Sequence, residues 1–269
     1  MICREDIISA LIKAQIPSPR LETDIILHHV APTYPKITKQ EENKIKAIIN
    51  RRCNHEPLDK IIGQKEFYKS SFKVSSDVLS PRPDTEILVE SALELLPSHK
   101  KFKILDLGTG SGCILLSILK ERPDITGVGV DISKKALAIA KENAQALGVS
   151  KSAEFINQDW NDITWQQASF DMVISNPPYI SKAEIETLDK EVKDYDPLIA
   201  LDGGDDGLQC YRDIAKIAPK LLKDNGYILL EVGYNQADEV KNIFVNCEFK
   251  IISIKKDLNG INRCIILQK

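Results

Sequence analysis

The stretch that decides the fold is Phe102–Gly112, which reads FKILDLGTGSG. An apolar run with strand character ends at Leu107, and glycines at alternate positions then lead into helical periodicity over residues 112–121. Glycines spaced in this way permit a tight turn and a close approach of a ligand to the backbone. The N-terminus of the following helix offers unsatisfied N–H groups and a partial positive charge. The stretch therefore predicts a strand, a turn and a helix that hold a carboxylate or a phosphate.

The alternation of strand and helix patterns continues to the end of the chain. Apolar runs predict seven strands, at residues 102–107, 125–130, 153–157, 170–175, 227–232, 248–255 and 263–268. Helical segments separate most of them, so we expect an α/β fold whose sheet is mostly parallel and covered on both faces. The last two strands lie too close together for a helical crossover and are expected to pair antiparallel. Residues 180–207 show no clear element and predict a long loop that is either a functional lid or partly disordered.

The first 80 residues follow a different pattern. Residues 1–62 carry apolar side chains at helical spacing in three segments with proline-marked joints, which predicts a small all-α bundle. Within residues 63–80, short apolar runs flank a polar tip at residues 69–71, which predicts a β-hairpin linker. Residues 81–269 are then expected to form the α/β domain.

Residues suited to a ligand follow successive strands of the pattern. Asp131 ends the second strand, where a carboxylate is placed to bind ribose hydroxyls. Asp159 and Trp160 follow the third and offer an acceptor for an exocyclic amine and an aromatic surface. The glycines run G-x-G-x-G rather than G-x-G-x-x-G, which argues against a dinucleotide. The expected cofactor contacts are Gly108, Thr109, Gly110, Ser111, Gly112, Asp131, Asp159 and Trp160, with Asn176 at the end of the fourth strand.

The fourth strand ends in the tetrapeptide Asn176-Pro177-Pro178-Tyr179. Neither proline has a backbone N–H, so their carbonyl oxygens remain as acceptors beside an Asn side chain that both accepts and donates. Such a cluster is suited to holding a planar –NH2 group by its two hydrogens. The alternative interpretation is an ordinary strand-ending turn, because Asn-Pro and Pro-Pro are common turn dipeptides.

A stiff loop, Pro81–Glu86, precedes the first strand of the α/β pattern. Asp84 or Thr85 is expected to cap the helix that begins at Glu86. Because the loop is pinned and charged just ahead of the glycine turn, it predicts one wall of a site. The alternative interpretation is simply a rigid helix start.

The composition gives no strong sign of a nucleic-acid or membrane partner. Net charge is −3, with 13 basic and 9 acidic residues before residue 76 and 23 and 30 after it. The six cysteines form no C-x-x-C pair, which argues against a disulfide framework and a zinc site. No apolar run approaches the ~18 residues of a membrane span. Charges at Arg4, Glu5 and Asp6 argue against a signal peptide, so a cytoplasmic protein is expected.

These motifs resemble those of class I S-adenosylmethionine-dependent methyltransferases that methylate planar amino groups. The segments that carry this resemblance are Asp106–Gly112, Asp131 and Asn176–Tyr179. The chain more closely resembles the HemK/PrmC family, the N5-glutamine methyltransferases of peptide chain release factors. This second resemblance covers nearly the whole chain and adds the segments Glu66–Tyr68, Arg82–Glu86, Gln158–Trp160, Ala200–Leu208 and Leu230–Gly233. The polar hairpin tip departs from the usual family composition.

The resemblance implies a Rossmann-like fold, S-adenosyl-L-methionine as cofactor, and a methyl transfer that modulates translation termination. The implied substrate is the glutamine of the Gly-Gly-Gln motif in class 1 release factors, bound by a monomer with the help of its helical N-terminal domain. The Asn176 side-chain oxygen and the Pro177 carbonyl are expected to accept the two amide hydrogens, and Tyr179 to pack the aliphatic part of the glutamine. Pro178, Arg82 and Glu86 complete the expected substrate contacts, and no metal ligand set is expected.

Three alternative functions remain open from the sequence. Adenine-N6 methylation of DNA or RNA presents a similar –NH2 group but needs a basic groove, which the negative charge of residues 76–269 disfavours. A glutamine methyltransferase of a ribosomal protein is a second alternative, against which stands only the closer resemblance of the Arg82–Glu86 loop to the release factor enzymes. A cofactor-binding interaction protein has no need of the Asn176–Tyr179 acceptor cluster.

Overall fold

The computed structural model describes residues 2–97, 100–163, 168–257 and 259–269. The chain divides into two compact units. The first consists of Met1–Gln64 with Asp189–Tyr195, and the second of Lys65–Leu188 with Asp196–Lys269. Within the described residues, no helix is long and apolar enough to cross a membrane.

The first unit is built from helices around an apolar core. Its N-terminal helices are α1 (Arg4–Lys13), α2 (Pro19–Val30), α3 (Lys39–Cys53) and α4 (Leu58–Ile62). Three helices were expected, and the fourth was missed because it is only five residues long. Its end at Gly63, where φ is +79°, agrees with the expected end of the helical region. Fully buried aliphatic side chains fill the space between the helices, among them Ile7, Leu11, Ile26 and Ile45.

A buried arginine joins α2, α3 and the returning segment Asp189–Tyr195 inside this first unit. The side chain of Arg52 is 2% exposed. Its Nε lies 2.7 Å from Glu22 Oε2 and its Nη1 lies 2.8 Å from Glu191 Oε1. A guanidinium is planar and always charged, so it can hold two carboxylates at once, and removing it leaves both acids without their counter-charge.

We expect Arg52→Met to lower the free energy of unfolding of the first unit by about 3 kcal/mol, because it breaks a buried ion-pair network. Arg51→Met is the matched control. Arg51 is 48% exposed and pairs with Glu56 near the surface, so its loss should change stability by less than ~1 kcal/mol. Hydrogen exchange of α2 and α3 amides, measured by mass spectrometry, reports on this unit alone. Equal protection in the two variants would contradict the role of Arg52.

The predicted β-hairpin is present and joins the two patterns of the sequence. It consists of β1 (Gln64–Phe67) and β2 (Ser70–Lys73), which form a two-stranded sheet. The turn is Tyr68-Lys69, with φ of 40° and 59°. Ser70-Ser71, expected at the tip, therefore belongs to β2. A two-residue turn with both residues at positive φ matches the twist of the flanking strands, which explains why the tip is shorter than predicted.

The second unit contains a seven-stranded sheet flanked by helices. Its further elements are α5 (Glu86–Leu95), β3 (Lys103–Leu107), α6 (Cys113–Glu121), β4 (Thr126–Asp131), α7 (Lys134–Ala146), β5 (Ala153–Asn157), β6 (Phe170–Ser175), α8 (Lys182–Ile185), α10 (Gln209–Leu221), β7 (Leu222–Glu231), α11 (Ala237–Val245), β8 (Lys250–Lys256) and β9 (Asn262–Gln268). The short helix α9 (Lys190–Lys193) belongs to the first unit. The strand order is β5-β4-β3-β6-β7-β9-β8. Among the described strands of this sheet, β9 alone runs antiparallel to its neighbours, so the mostly parallel sheet and the antiparallel final pair are confirmed.

The register of the sheet brings three strand ends together. Leu107, the last residue of β3, is opposite Val130 of β4 on one side and Ser175 of β6 on the other. From β3 the chain adds β4 and β5 on one side of the sheet and then β6 and β7 on the other. The point between β3 and β6, where this direction changes, is where α/β sheets bind ligands. Gly108 and Asn176 follow directly after β3 and β6, and Asp131 is the last residue of β4, so all three lie at the same edge of the sheet.

Two expectations about single elements were wrong. Strand β7 begins at Leu222 instead of Tyr227, because Leu222 pairs with Phe170 before a register shift leads to the next pairs. The polar residues 223–226 that bulge at this shift hide the strand from a hydrophobicity pattern.

Residues 180–207 were expected to lack regular structure, and they contain two short helices and a 3-10 turn at Leu198–Ala200. Helix α8 begins with a capping box. The Glu184 N–H donates to Ser181 Oγ at 3.3 Å, and the Ser181 N–H donates to Glu184 Oε2 at 3.1 Å. Four-residue helices are too short to give a periodic hydrophobic pattern, so the capping residues were the sequence feature that could have predicted α8.

Candidate active site

The glycine turn after β3 leaves open space beside its central residue, Gly110. Gly108 and Gly110 have φ of +73° and +55°, which L side chains rarely adopt. A Cβ at Gly108 would lie 3.2 Å from Trp160 Cζ3, so the aromatic ring packs directly against this backbone. At Gly110 the nearest atom to such a Cβ would be 4.0 Å away. Gly110 is thus flanked by open space that suits a bound ligand.

Two carboxylates hold this turn in place, Asp131 through backbone N–H groups and Asp106 through a side-chain hydroxyl. Asp131 Oδ2 accepts the Gly110 N–H at 2.8 Å and Oδ1 accepts the Ser133 N–H at 2.8 Å. Burial raises the pKa of Asp131, and these two backbone N–H groups oppose the rise. Asp106 Oδ2 accepts the Thr109 hydroxyl at 2.6 Å, whereas its buried Oδ1 makes no hydrogen bond of normal geometry within the described residues. Burial raises the pKa of Asp106 to about 7.

A cavity of about 340 Å³ lies at this edge of the sheet. Seven of the predicted site residues line it: Gly108, Gly110, Asp131, Asp159, Trp160, Asn176 and Pro178. The other predicted residues do not line it: Thr109, Ser111, Gly112, Pro177, Tyr179, Arg82 and Glu86. Thr109 and Ser111 are buried behind the turn, and the Ser111 carbonyl accepts a hydrogen bond from Asn143 Nδ2 at 2.9 Å. These two residues therefore shape the turn from behind.

Several residues of the cavity wall were missed in the sequence. Ile132 and Ile199 line it and are 51% and 57% exposed. Large apolar side chains at such exposure beside a pocket offer surface to a ring or an aliphatic chain. The sequence signal that could have identified Ile132 as a cavity residue was its position directly after Asp131. Another part of the wall, Asp77–Leu79, had no signal because it precedes the α/β pattern.

The Asn176 side chain is oriented by a residue expected to serve as a helix cap. Asn176 Nδ2 donates to Thr85 Oγ1 at 3.3 Å, across 91 positions of the chain. Thr85 is at the N-cap position of α5 but its side chain makes no capping hydrogen bond. The cap expectation for Thr85 was therefore wrong, because its hydroxyl is engaged by Asn176. With Nδ2 directed at Thr85, the Asn176 side-chain oxygen is on the opposite side of the amide and remains an acceptor.

Tyr179 is enclosed by two later segments of the chain. Gln236 Nε2 donates to the Tyr179 carbonyl at 2.9 Å, and the Ile180 N–H donates to the Leu201 carbonyl at 3.0 Å. Three glycines leave room for this packing. A Cβ added at Gly203 would lie 2.8 Å from the Tyr179 Cα, one at Gly207 would lie 2.5 Å from the Tyr179 carbonyl oxygen, and one at Gly233 would lie 3.0 Å from the Tyr179 ring. The Gly-rich segment thus builds a close wall around the tetrapeptide.

The predicted substrate contacts Arg82 and Glu86 are engaged in structural contacts. Arg82 Nη2 lies 3.0 Å from the buried Asp196 Oδ2, and Glu86 Oε1 accepts the Tyr68 N–H of the hairpin turn at 3.1 Å. Arg263 Nη2 lies 3.1 Å from Asp84 Oδ2. The Pro81–Glu86 loop is thus tied to three separate parts of the second unit.

Comparisons with known proteins agree with this architecture. A methyltransferase domain model matches residues 98–263. A release factor glutamine methyltransferase from Thermodesulfovibrio yellowstonii is 45% identical over 87% of this chain and 84% of its own length. Another, from Caulobacter vibrioides, is 40% identical over 88% of this chain and 82% of its own length. The chain belongs to the release factor glutamine methyltransferase family.

Solved structures support the fold of this methyltransferase family member. A methyltransferase from Pyrococcus furiosus aligns with 86% of this chain and 99% of its own length, with a TM-score of 0.55 at 12% identity. At this identity the likeness shows the fold alone. Membership in the family confirms the enzyme class and the class I methyltransferase fold that the motifs indicated.

The raised pKa of Asp106 predicts how stability changes with pH. A carboxyl group with a pKa of about 7 when folded and 3.8 when unfolded binds more protons in the folded state between these values. Stability therefore falls as the pH rises through this window, by up to ~1.4 kcal/mol per pH unit for one proton.

We expect the thermal midpoint of the ligand-free protein to fall between pH 5 and pH 7, and Asp106→Asn to remove part of that slope. Glu231, whose pKa burial also raises to about 7, contributes with the same sign. Scanning calorimetry at four pH values measures the slope, with the exposed Asp238→Asn as control. An unchanged slope in Asp106→Asn would contradict the assignment.

Proposed function

We propose that this chain transfers a methyl group from S-adenosyl-L-methionine to the side-chain amide nitrogen (N5) of the glutamine in the Gly-Gly-Gln motif of class 1 peptide chain release factors, and so modulates translation termination. The observation that carries the proposal is the orientation of Asn176, whose Nδ2 donates to Thr85 at 3.3 Å and so leaves Oδ1 as an acceptor. The names of the two relatives support the substrate.

The cavity fits the proposed cofactor. S-adenosylmethionine carries an amino acid end, a ribose and an adenine, and supplies an electrophilic methyl group on sulfur. We assign the ribose hydroxyls to Asp131 and the adenine to Trp160, Asp159 and Ile132, all of which line the cavity. The open space at Gly110 and the buried Asp106 Oδ1 suit the charged amino acid end, which presents both a carboxylate and an ammonium group.

The chemistry that the tetrapeptide performs is positioning. An amide nitrogen is a poor nucleophile because its lone pair is delocalised into the carbonyl. We assign one amide hydrogen to the Asn176 side-chain oxygen and the other to the Pro177 carbonyl, which orients the nitrogen and favours partial loss of conjugation. Tyr179 packs against the aliphatic part of the glutamine. Positioning of this kind contributes ~7–11 kcal/mol to a transfer step.

The remaining roles are also part of the proposal. The enzyme acts as a monomer in the cytoplasm on protein, without binding nucleic acid directly. Substrate recognition is assigned to the helical N-terminal unit, which exposes apolar side chains on α1 and α2 at Ile12, Leu21 and Ile25. Arg82 and Glu86 contribute to substrate binding by holding the Pro81–Glu86 loop in place.

Asn176→Ala tests the acceptor model. We expect its turnover to fall at least ~100-fold, because one of two positioning acceptors is lost. Cofactor affinity, measured by calorimetry, should change little. Asn246→Ala, at an exposed position of α11's C-terminal end, is the control. Near-normal turnover of Asn176→Ala would rule out the acceptor role.

Substrate choice is tested by transfer of label from methyl-labelled cofactor. The arms are a release factor with Gly-Gly-Gln, its Gln→Ala variant, a ribosomal protein, duplex DNA and single-stranded RNA. We expect label on the wild-type release factor alone. Label on DNA or RNA would replace the proposal by adenine methylation, and label on the ribosomal protein would reassign the glutamine substrate. Cofactor binding without transfer to any of them would favour the interaction protein.

A further inference from the structure

The cavity at the edge of the sheet has more acids than bases in its wall. Among the described residues that line it, none is a lysine, arginine or histidine, and five are aspartates: Asp77, Asp131, Asp159, Asp202 and Asp213. Asp77 pairs with Lys135 at 3.0 Å, and Asp213 pairs with Lys216 at 3.2 Å. The other three form no ion pair within the described residues, and their oxygens accept backbone N–H groups instead.

One of these three acids, Asp202, lies next to the end of the Asn176–Tyr179 tetrapeptide. It forms an isolated parallel β-bridge with Ile180, the residue directly after the tetrapeptide. The Ile180 N–H donates to the Leu201 carbonyl at 3.0 Å, and the Gly203 N–H donates to the Ile180 carbonyl at 2.8 Å. Backbone hydrogen bonds on both sides of Asp202 therefore hold it in the cavity wall beside the residues to which we assign the methyl transfer.

Two other aspartates of the Gly-rich segment have a different environment. Asp205 pairs with Lys182 at 2.8 Å. Asp206 pairs with Arg212, and both acids are exposed. Asp202 is partly buried, lines the cavity, and accepts a backbone N–H at 2.8 Å. Because a backbone N–H does not cancel the formal charge of a carboxylate, Asp202 is the acid of this segment whose charge acts on the cavity.

The thiol of Cys210, which also lines the cavity, responds to these charges. Burial, followed by the negative charges of Asp213, Asp202 and Asp159, raises the pKa of Cys210 to about 11. The acids disfavour an anionic thiolate at this position. The same electrostatic potential favours a bound cation.

We propose that Asp202 is a specificity-determining residue whose charge, together with those of Asp131 and Asp159, makes the cavity bind the positively charged sulfonium cofactor in preference to its neutral thioether product. The inference rests on the proposed function, which supplies the cofactor. The proposed transfer breaks a C–S bond, whose electron pair stays on sulfur, and forms a C–N bond, after which the amide nitrogen releases a proton to water. The ligand thereby loses its net positive charge, so the attraction that favoured its binding no longer opposes product release.

Calorimetric titration with S-adenosylmethionine and with S-adenosylhomocysteine tests this preference without any release factor. We expect the wild type to bind the sulfonium form at least ~5-fold more tightly at low ionic strength. Salt should weaken binding of the sulfonium form more than binding of the thioether, because it screens the charges in this partly open cavity.

Three substitutions separate the charge of Asp202 from its structural role. Asp202→Asn keeps an oxygen for the backbone N–H and removes the charge, so it should lower the preference for the sulfonium form roughly 3- to 10-fold. Asp202→Glu keeps the charge and should retain most of the preference. Asp205→Asn is the matched control, because it removes the same charge from the same segment at a side chain that is 90% exposed.

The outcomes of these titrations distinguish the inference from the proposed function. Equal affinity of the wild type for the two ligands, or a wild-type preference in Asp202→Asn, would overturn the inference and leave the proposed methyl transfer standing. A preference for the sulfonium form without methylation of any release factor would support the inference and refute the proposed substrate. If neither ligand bound, both the inference and the proposed cofactor would be wrong.

Modification of Cys210 measures the potential in the ligand-free protein. The probes are 2-aminoethyl and 2-sulfonatoethyl methanethiosulfonate, which are similar in size and opposite in charge, and peptide mass spectrometry follows their reaction at Cys210. We expect the cationic reagent to react faster, and the ratio of the two rates to fall in Asp202→Asn but not in Asp205→Asn. Equal rates in the wild type, or an unchanged ratio in Asp202→Asn, would overturn the inference independently of the titrations.

Discussion

Leu107 is paired with Val130 on one side and with Ser175 on the other, and the site depends on this register. Side chains alternate between the two faces of a strand, so a slip of one residue would turn Asp106 from its place behind the glycine turn. The same slip would separate Asn176 from the cavity wall. The two parallel ladders therefore set both the geometry of the cofactor turn and the position of the tetrapeptide.

The sequence predicts the parts of the molecule that repeat or that need a special backbone. Apolar runs locate the strands, and the G-x-G-x-G spacing locates the turn that approaches the ligand. Asp131, Trp160 and Asn176 follow from their positions at strand ends, because parallel strands meet at one edge of the sheet. Local chemistry is sufficient for these residues.

Residues that act through long-range contacts are not predicted in this way. Thr85 has the local features of a helix cap, and its contact with Asn176 exists only in the folded chain. The same is true of Arg82, which donates a hydrogen bond to Asp196, 114 positions further along the chain. Gln236, which holds the Tyr179 carbonyl, lies in a segment without any motif of its own. Burial and hydrogen-bond direction, which distinguish these roles, are properties of the tertiary structure.

The return of Asp189–Tyr195 to the first unit makes that unit discontinuous along the chain. A gene fragment that ends at residue 64 would lack Glu191, one of the two acids that neutralise Arg52. Recombination between related genes can exchange a contiguous domain in one step, but here it would have to transfer two distant segments together. The helical unit and the region after the tetrapeptide are therefore expected to be inherited as a pair, with substitutions at one segment matched by substitutions at the other.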